Sequence, residues 1–103
     1  MKLSYIPIPE RLKPFLVGEI LKGCGSKPSY VARVKRELLR ETVERLRMFC
    51  DEFKMVGGMM VKCRKTSGSI TFFPANGRLM FEASSEEEAF KLIERLFVGP
   101  PRS

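Results

Sequence analysis

The chain has 103 residues, of which 44% are apolar and 30% are charged, and its formal net charge is +7. This length fits one domain that holds its own hydrophobic core. No apolar run approaches the ~20 residues of a membrane-spanning helix, and prolines stand where a signal peptide would need its apolar segment. The composition therefore predicts a single cytoplasmic domain over residues 1–103.

Positive charge is concentrated in the first two thirds of the chain. Residues 1–65 hold 15 of the 19 Lys and Arg residues and 7 of the 12 acids. Residues 66–103 hold the other 4 basic residues and the other 5 acids. A basic side on a small domain favours a polyanionic partner, although solubility also accounts for such a charge. The absence of glutamine and the single asparagine, beside abundant Lys, Arg and Glu, indicate a thermophilic source.

The three cysteines, Cys24, Cys50 and Cys63, lie far apart in the sequence. An odd number without close pairs implies neither a disulfide framework nor a metal-binding knuckle. We expect all three to be reduced and to serve as small apolar side chains.

The N-terminal part of the chain is predicted to be an extended arm followed by helices. Prolines keep residues 1–8 extended, either as an edge strand or as a covering arm. Pro9 and Pro14 suit the first turn of a helix, so we expect a short helical turn at Pro9 and a helix over residues 14–22. Gly23 would end that helix.

The longest predicted element is a helix over residues 29–56, which completes a helical part over residues 9–56. Apolar residues recur in it at helical spacing, and two glycines follow its end. Its opposite side would carry a line of arginines interrupted by glutamates. This line would be either a solvated face of ion pairs or a surface for duplex DNA; its members are Arg33, Arg36, Arg40 and Arg47.

Residues 59–83 are predicted to form an antiparallel sheet. Asn76-Gly77 between two apolar-rich runs is the strongest short-range signal for a hairpin with a two-residue loop. A four-residue loop over residues 65–68 would add a third strand. Both loops place the same apolar side chains on one face, whereas a one-residue slip would invert the faces. The core face would carry Met59, Val61, Cys63, Ile70, Phe72, Pro74, Leu79, Phe81 and Ala83.

The opposite face of this sheet is the candidate binding surface. In the predicted register Phe73 lies between Met60 and Met80, which gives an apolar row across three strands. Basic residues border this row, as on surfaces that bind single-stranded nucleic acid. The candidate binding residues on this face are Met60, Lys62, Arg64, Thr71, Phe73, Arg78 and Met80.

A second helix is predicted over residues 85–98. Ser85 and Glu88 have the spacing of a capping box, and the acids at residues 86–88 complement the positive end of the helix dipole. Gly99 would end the helix. Capping accounts for these glutamates without a catalytic or metal-binding role.

The residues that enzymes commonly use for chemistry are missing from this sequence. It contains no histidine, the side chain on which proton transfer near neutral pH most often depends. No glycine-rich loop has the spacing of a phosphate-binding motif, and no serine has a recognisable base. We expect a protein that is not an enzyme and that binds neither a cofactor nor a metal.

Two resemblances to known families arise at the hairpin and the helix after it. The run from Ser69 to Glu87 resembles, in a single copy, the strand–turn–strand–helix segment of a TATA-binding protein repeat, which implies shared packing. The layout of the chain is similar to that of the archaeal ThermoDBP-related single-stranded nucleic-acid-binding proteins. In both, helices come first, a small antiparallel sheet and a closing helix follow, and one side is basic. This second resemblance implies that bases contact an apolar surface rimmed by basic residues.

Together these patterns predict an α+β fold with a three- to four-stranded antiparallel sheet packed on a long helix, a short N-terminal helix and a C-terminal helix. The predicted function is single-stranded DNA or RNA binding with low sequence specificity. One alternative is a protein-interaction module, including a homodimer, in which another chain covers the same apolar row. Another is duplex binding through Arg33, Arg36 and Arg40.

Overall fold

Seven antiparallel strands form one sheet in the order β1-β2-β3-β7-β6-β5-β4. The structure, a computed structural model, describes residues 4–23 and 28–99. The strands are β1 (Ser4–Ile6), β2 (Leu16–Lys22), β3 (Ser29–Val34), β4 (Glu52–Val56), β5 (Met60–Lys65), β6 (Gly68–Phe73) and β7 (Arg78–Ala83), and the helices are α1 (Leu39–Phe49) and α2 (Glu86–Phe97). The predicted sheet of three to four strands was therefore too small.

The predicted helix over residues 14–22 is wrong, because these residues form β2. Leu16 and Ile20 are buried, and Gly18 has a φ of 74° where the register with β3 shifts. A positive φ is compatible with a strand irregularity and not with a helix interior. The helical turn expected after Pro9 is present as a single 3₁₀ turn, and residues 4–6 of the predicted arm form an edge strand paired with β2. Residues 1–3 of the arm lie outside the described residues.

The predicted long helix is also wrong, because only its middle part is helical. Tyr30, Ala32 and Val34 alternate as buried residues of β3, a period of two that belongs to a strand. At the other end, Cys50 takes an extended backbone after α1, and the next residues pair with β5. Strand pairing at both ends therefore overrides the helical spacing of the apolar residues.

The core lies between one face of the sheet and the two helices. Strand residues such as Phe72, Leu79 and Phe81 are fully buried there, together with the α2 residues Leu92 and Ile93. Both helices therefore cover the same side of the sheet. Neither helix among the residues that the structure describes is long and apolar enough to span a membrane.

The end of α2 is held by a side chain from α1. The Arg45 guanidinium donates hydrogen bonds to the carbonyl oxygens of Phe97 and Leu96, at 2.7 and 3.4 Å. These carbonyls lack partners within the helix, and a cation at this end also complements the helix dipole. At the other end, the Ser85 hydroxyl accepts a hydrogen bond from the Glu88 amide, which confirms the predicted helix start.

Of the two predicted hairpin registers, one is confirmed and one is wrong. Strands β5 and β6 pair as expected, with Val61 opposite Phe72 and Arg64 opposite Ser69. Strands β6 and β7 are displaced by two residues, so that residues 74–77 form the loop and Phe73 lies opposite Arg78. A shift of two residues preserves the faces, and so the predicted core residues within β5, β6 and β7 lie on the core face. The prediction is wrong for Met59, which is 75% exposed in the turn before β5, and Pro74 lies in the loop after β6.

The loop between β6 and β7 explains this shift. A two-residue type I′ loop needs a positive φ at both central residues. Gly77 has a φ of 80°, but no non-glycine residue within the described ranges has a positive φ, and Asn76 therefore does not fit that loop. Instead, the Asn76 side-chain oxygen accepts a hydrogen bond from the Arg78 amide at 2.9 Å.

Cys50 and Cys63 form a disulfide, with their Cα atoms 5.4 Å apart. The expectation that these two cysteines are reduced is therefore wrong. Cys50 follows α1 and Cys63 lies on β5, so that packing of the helix end against the sheet brings them together. Cys24 lies outside the described residues.

Candidate functional site

The face of the sheet opposite the helices, which we call the open face, carries every other residue of each strand. Buried residues point to the core, and their neighbours in sequence point to this face. Cross-strand pairing sorts the side chains of the open face into transverse rows. Three rows cross the middle of the sheet.

The longest row crosses all seven strands and has two different halves. The half on β1, β2, β3 and β7 is apolar, and the half on β6, β5 and β4 is polar and basic. Met80, at the junction, is 40% exposed. In strand order this row, the Tyr5–Lys54 row, consists of Tyr5, Leu21, Val31, Met80, Thr71, Lys62 and Lys54.

A second row, the Phe73 row, lies beside the first. It runs from Val17 on β2 through Arg33 and Arg78 to Phe73 on β6. The register of β5 and β6, extended by one residue, adds Met60 next to Phe73. Phe73 is half-buried, so part of its ring remains accessible on the open face.

Two pairs of like charges face each other directly on the open face. Arg33 lies opposite Arg78, and Lys54 lies opposite Lys62. Across the part of the chain that the structure describes, no carboxylate forms an ion pair with any of these four residues. Like charges directly opposite destabilise a sheet, and stability of the isolated chain therefore does not account for this arrangement.

The third row, the Glu82 row, lies on the other side of the Tyr5–Lys54 row and mixes both charges. It consists of Ser29, Glu82, Ser69, Arg64 and Glu52. Ser69 donates a hydrogen bond to Glu82 at 3.4 Å, and Arg64 pairs with Glu52 at 3.9 Å. This row is therefore less attractive to a polyanion than the other two.

The seven site residues predicted on the sheet all lie on the open face, but their arrangement differs from the prediction. The expected row Met60–Phe73–Met80 is not formed, because the two-residue shift places Arg78 opposite Phe73 and Thr71 opposite Met80. Met80 therefore belongs to the neighbouring row. The mixed row Arg33–Arg78–Phe73 replaces the uniform apolar one.

The predicted arginine face does not exist as one surface. Arg33 lies on β3 and faces the open side, Arg36 lies in the 3₁₀ turn before α1, and Arg40 lies on α1. Arg47 lies on α1 with Arg40, so that the four predicted residues belong to three elements and do not share one helix face. The long helix that would have carried this arginine face is therefore wrong.

Sequence reasoning missed four residues of the Tyr5–Lys54 row. Tyr5, Leu21 and Val31 extend its apolar half, and Lys54 ends its basic half. For Val31, the signal that could have found it is the alternation in residues 29–34, where Tyr30, Ala32 and Val34 are buried. Helical spacing of the same apolar residues concealed that alternation.

Shallow depressions mark the same face. One of about 330 Å³ lies around Lys54, Lys62 and Thr71, and another of about 200 Å³ lies around Val31 and Met80. A larger open depression of about 880 Å³ lies at the β5–β6 turn and mixes basic residues with acids such as Asp51 and Glu88. Within the described ranges, no three His, Cys, Asp or Glu residues group as a metal site.

Among the residues that the structure describes, the one group whose pKa departs clearly from its usual value lies away from the open face. Burial raises the pKa of the Tyr30 phenol to about 12, and its hydrogen bond to the Glu86 carboxylate, at 3.0 Å, acts in the same direction. Lys22 also pairs with Glu86, at 3.6 Å. This cluster links β2 and β3 to the start of α2, and its role is structural.

The chain matches no protein-family model, no curated protein and no solved structure.

Proposed function

We propose that this protein binds single-stranded DNA or RNA across the open face of its sheet, with little dependence on sequence. The observation that carries the proposal is the pair of like-charge contacts, Arg33–Arg78 and Lys54–Lys62, on a face that also presents Phe73 and Met80. A polyanion relieves the repulsion within both pairs. Apolar side chains between them offer surfaces on which bases can stack.

The surface suits a single strand better than a duplex. The bases of a duplex are stacked inside it, so that an apolar surface gains nothing from them, whereas a single strand exposes its base faces. Apart from Arg33 and Arg78, the described members of the Phe73 row are apolar, and so this row offers few groups that could read base edges. Recognition by stacking and charge tolerates every base.

The similarity in layout to the ThermoDBP-related proteins does not carry this proposal. That layout has helices before the sheet, whereas β2 and β3 occupy this part of the chain. The proposal depends on the open face alone.

The test is a titration of fluorescently labelled single-stranded DNA, single-stranded RNA and duplex DNA of equal length at several salt concentrations. Neutralisation of about four phosphates by the two like-charge pairs gives a slope of roughly −3 in log K against log salt for single strands. Stacking depends little on salt, and so we expect single strands to retain affinity at high salt when the duplex does not.

A matched pair of double variants localises the binding. Lys54→Gln with Lys62→Gln should weaken single-strand binding and reduce the salt slope by about 1.4. Arg36→Gln with Arg40→Gln removes the same charge away from the open face and should have little effect. Equal losses in both variants would show that net charge, and not the open face, attracts the strand. Absence of binding at low salt would favour the interaction module.

A further inference from the structure

We propose that Tyr5 is a second base-stacking position, and that a bound strand crosses the sheet along the Tyr5–Lys54 row from β4 to β1. This inference depends on the proposed function and specifies the path and length of its ligand. The site would then extend from the basic residues of β4 and β5 to the aromatic ring on the opposite edge of the sheet.

Tyr5 has the position that such a contact needs. It is 64% exposed on β1, while its neighbour Ile6 packs against the core. Alternation along the strand therefore places the Tyr5 ring on the open face, opposite Leu21. An aromatic ring exposed to this extent contributes little to the core, and its face is available to a base.

An apolar path connects Tyr5 to the centre of the open face. Leu21, Val31 and Met80 follow it on successive strands of the sheet. None of these side chains is charged, and so the stretch between Tyr5 and Met80 offers contacts for bases and none for phosphates. The phosphate contacts of the row lie on its other half, at Lys62 and Lys54.

The neighbouring rows direct the strand along this path. On one side, the Phe73 row supplies Arg33 and Arg78, which attract phosphates. On the other side, the Glu82 row mixes both charges: Glu82 is negative, and Glu52 pairs with Arg64 at 3.9 Å. This row therefore attracts a phosphate backbone less than the Phe73 row does. The strand is therefore expected to follow the two favourable rows.

The dimensions of the sheet set the length of the bound segment. Neighbouring strands lie about 4.8 Å apart, so that Tyr5 and Phe73, which are four strand spacings apart in the sheet order, are separated by roughly 19 Å. In duplex DNA each strand advances about 3.4 Å per nucleotide, and a strand whose bases turn onto protein side chains advances further. Contact with both rings therefore needs at most about six nucleotides, and the whole row at most about eight.

The experiment measures the affinities of oligothymidylates of two and eight nucleotides for the unmodified chain, Tyr5→Ala and Tyr5→Phe. We expect the eight-nucleotide strand to bind more tightly, and one base stacked on Tyr5 to supply roughly five- to a hundredfold of that gain. Tyr5→Ala should remove this part of the gain, whereas Tyr5→Phe should retain it because the ring remains. Melting temperatures confirm that each variant is folded.

Tyrosine emission gives a direct readout of the contact. The chain has two tyrosines and no tryptophan, and so in Tyr30→Phe all emission comes from Tyr5. Stacking of a base on the ring should quench that emission when the eight-nucleotide strand binds. Unchanged emission with the strand bound would overturn the inference.

The remaining outcomes separate this inference from the function on which it depends. A gain with length that is equally large in Tyr5→Ala overturns the second stacking position and leaves single-strand binding in place. If Tyr5→Ala instead changes the molecular mass in solution and not the dependence on length, the apolar half of the row is a subunit contact. That outcome also overturns the second stacking position. Failure of every oligonucleotide to bind refutes the proposed function itself.

Discussion

Arg33 and Arg78 lie directly opposite each other on β3 and β7, in the middle of the sheet and on its open face. Opposed like charges cost the folded chain roughly 0.2–1 kcal/mol. Such a cost is understandable where the two guanidinium groups together attract an anion. The pair therefore links a local instability to the proposed binding of nucleic acid.

Replacement of one member of this pair should improve stability and impair binding. We expect Arg78→Gln to raise the free energy of unfolding by a few tenths of a kcal/mol and to weaken single-strand binding, with a smaller salt slope. Denaturant unfolding and oligonucleotide titration measure the two effects. Arg40→Gln on α1 is the control, with the same loss of charge away from the sheet. A loss of stability in Arg78→Gln would mean that the arginine has a favourable partner in the free protein.

The two adjacent phenylalanines of β6 should differ in their roles. Phe72 is fully buried, and its truncation to alanine should cost about 3–5 kcal/mol. Phe73 is half-buried on the open face, and its truncation should cost only about 1 kcal/mol while it weakens single-strand binding. Thermal unfolding and binding assays on both variants test this contrast. Equal destabilisation would assign Phe73 to the core and remove it from the binding surface.

Stability at high pH should depend on Tyr30. Its pKa is raised to about 12 in the folded chain, whereas an unfolded tyrosine titrates near 10. The unfolded chain therefore loses this proton first, and stability should fall as the pH rises from about 10 to 12. Tyr30→Phe should reduce that fall relative to the unmodified chain, and Tyr5→Phe, which removes an exposed hydroxyl, should not. The measurement is the free energy of unfolding at several alkaline pH values.

The loop after β6 should not tolerate a side chain at residue 77. Gly77 combines a φ of 80° with a position where an added Cβ would lie 2.9 Å from the carbonyl oxygen of Val34. Gly57 has a φ of 57° with open space around it, and so Gly57→Ala adds only backbone strain, about 1 kcal/mol. We expect Gly77→Ala to cost clearly more than this control. Similar costs would contradict the close contact between the loop and β3.

The disulfide between Cys50 and Cys63 should contribute to stability. It closes a loop across a sequence separation of 13 residues, for which chain entropy gives a stabilisation of about 3 kcal/mol. A dithiol reductant, or Cys50→Ser with Cys63→Ser, should lower the melting temperature. Thiol titration of the denatured, unreduced chain should find fewer thiols than the three cysteines of the chain. Three titratable thiols would contradict the bridge.

Local signals in the sequence were sufficient for the part of the chain that folds through short-range contacts. The capping of α2 by Ser85 and the alternation of side chains in β5 to β7 both follow from neighbouring residues. The faces of these strands were correct even where the register was not, because the displacement was by two residues. For the same reason Phe73 and Met80 were assigned to the correct side of the sheet.

Only the tertiary structure determined the first half of the chain. Val31 and Val34 fit a helical period, but β3 lies between β2 and β7 in the sheet, and pairing with these neighbours favours a strand. Pairs so distant in sequence leave no local pattern. The same long-range pairing places Arg33 opposite Arg78, and Tyr5 on the row that ends at Lys54. The sequence by itself determined which residues are apolar or charged, whereas strand pairing decided which of them share a surface.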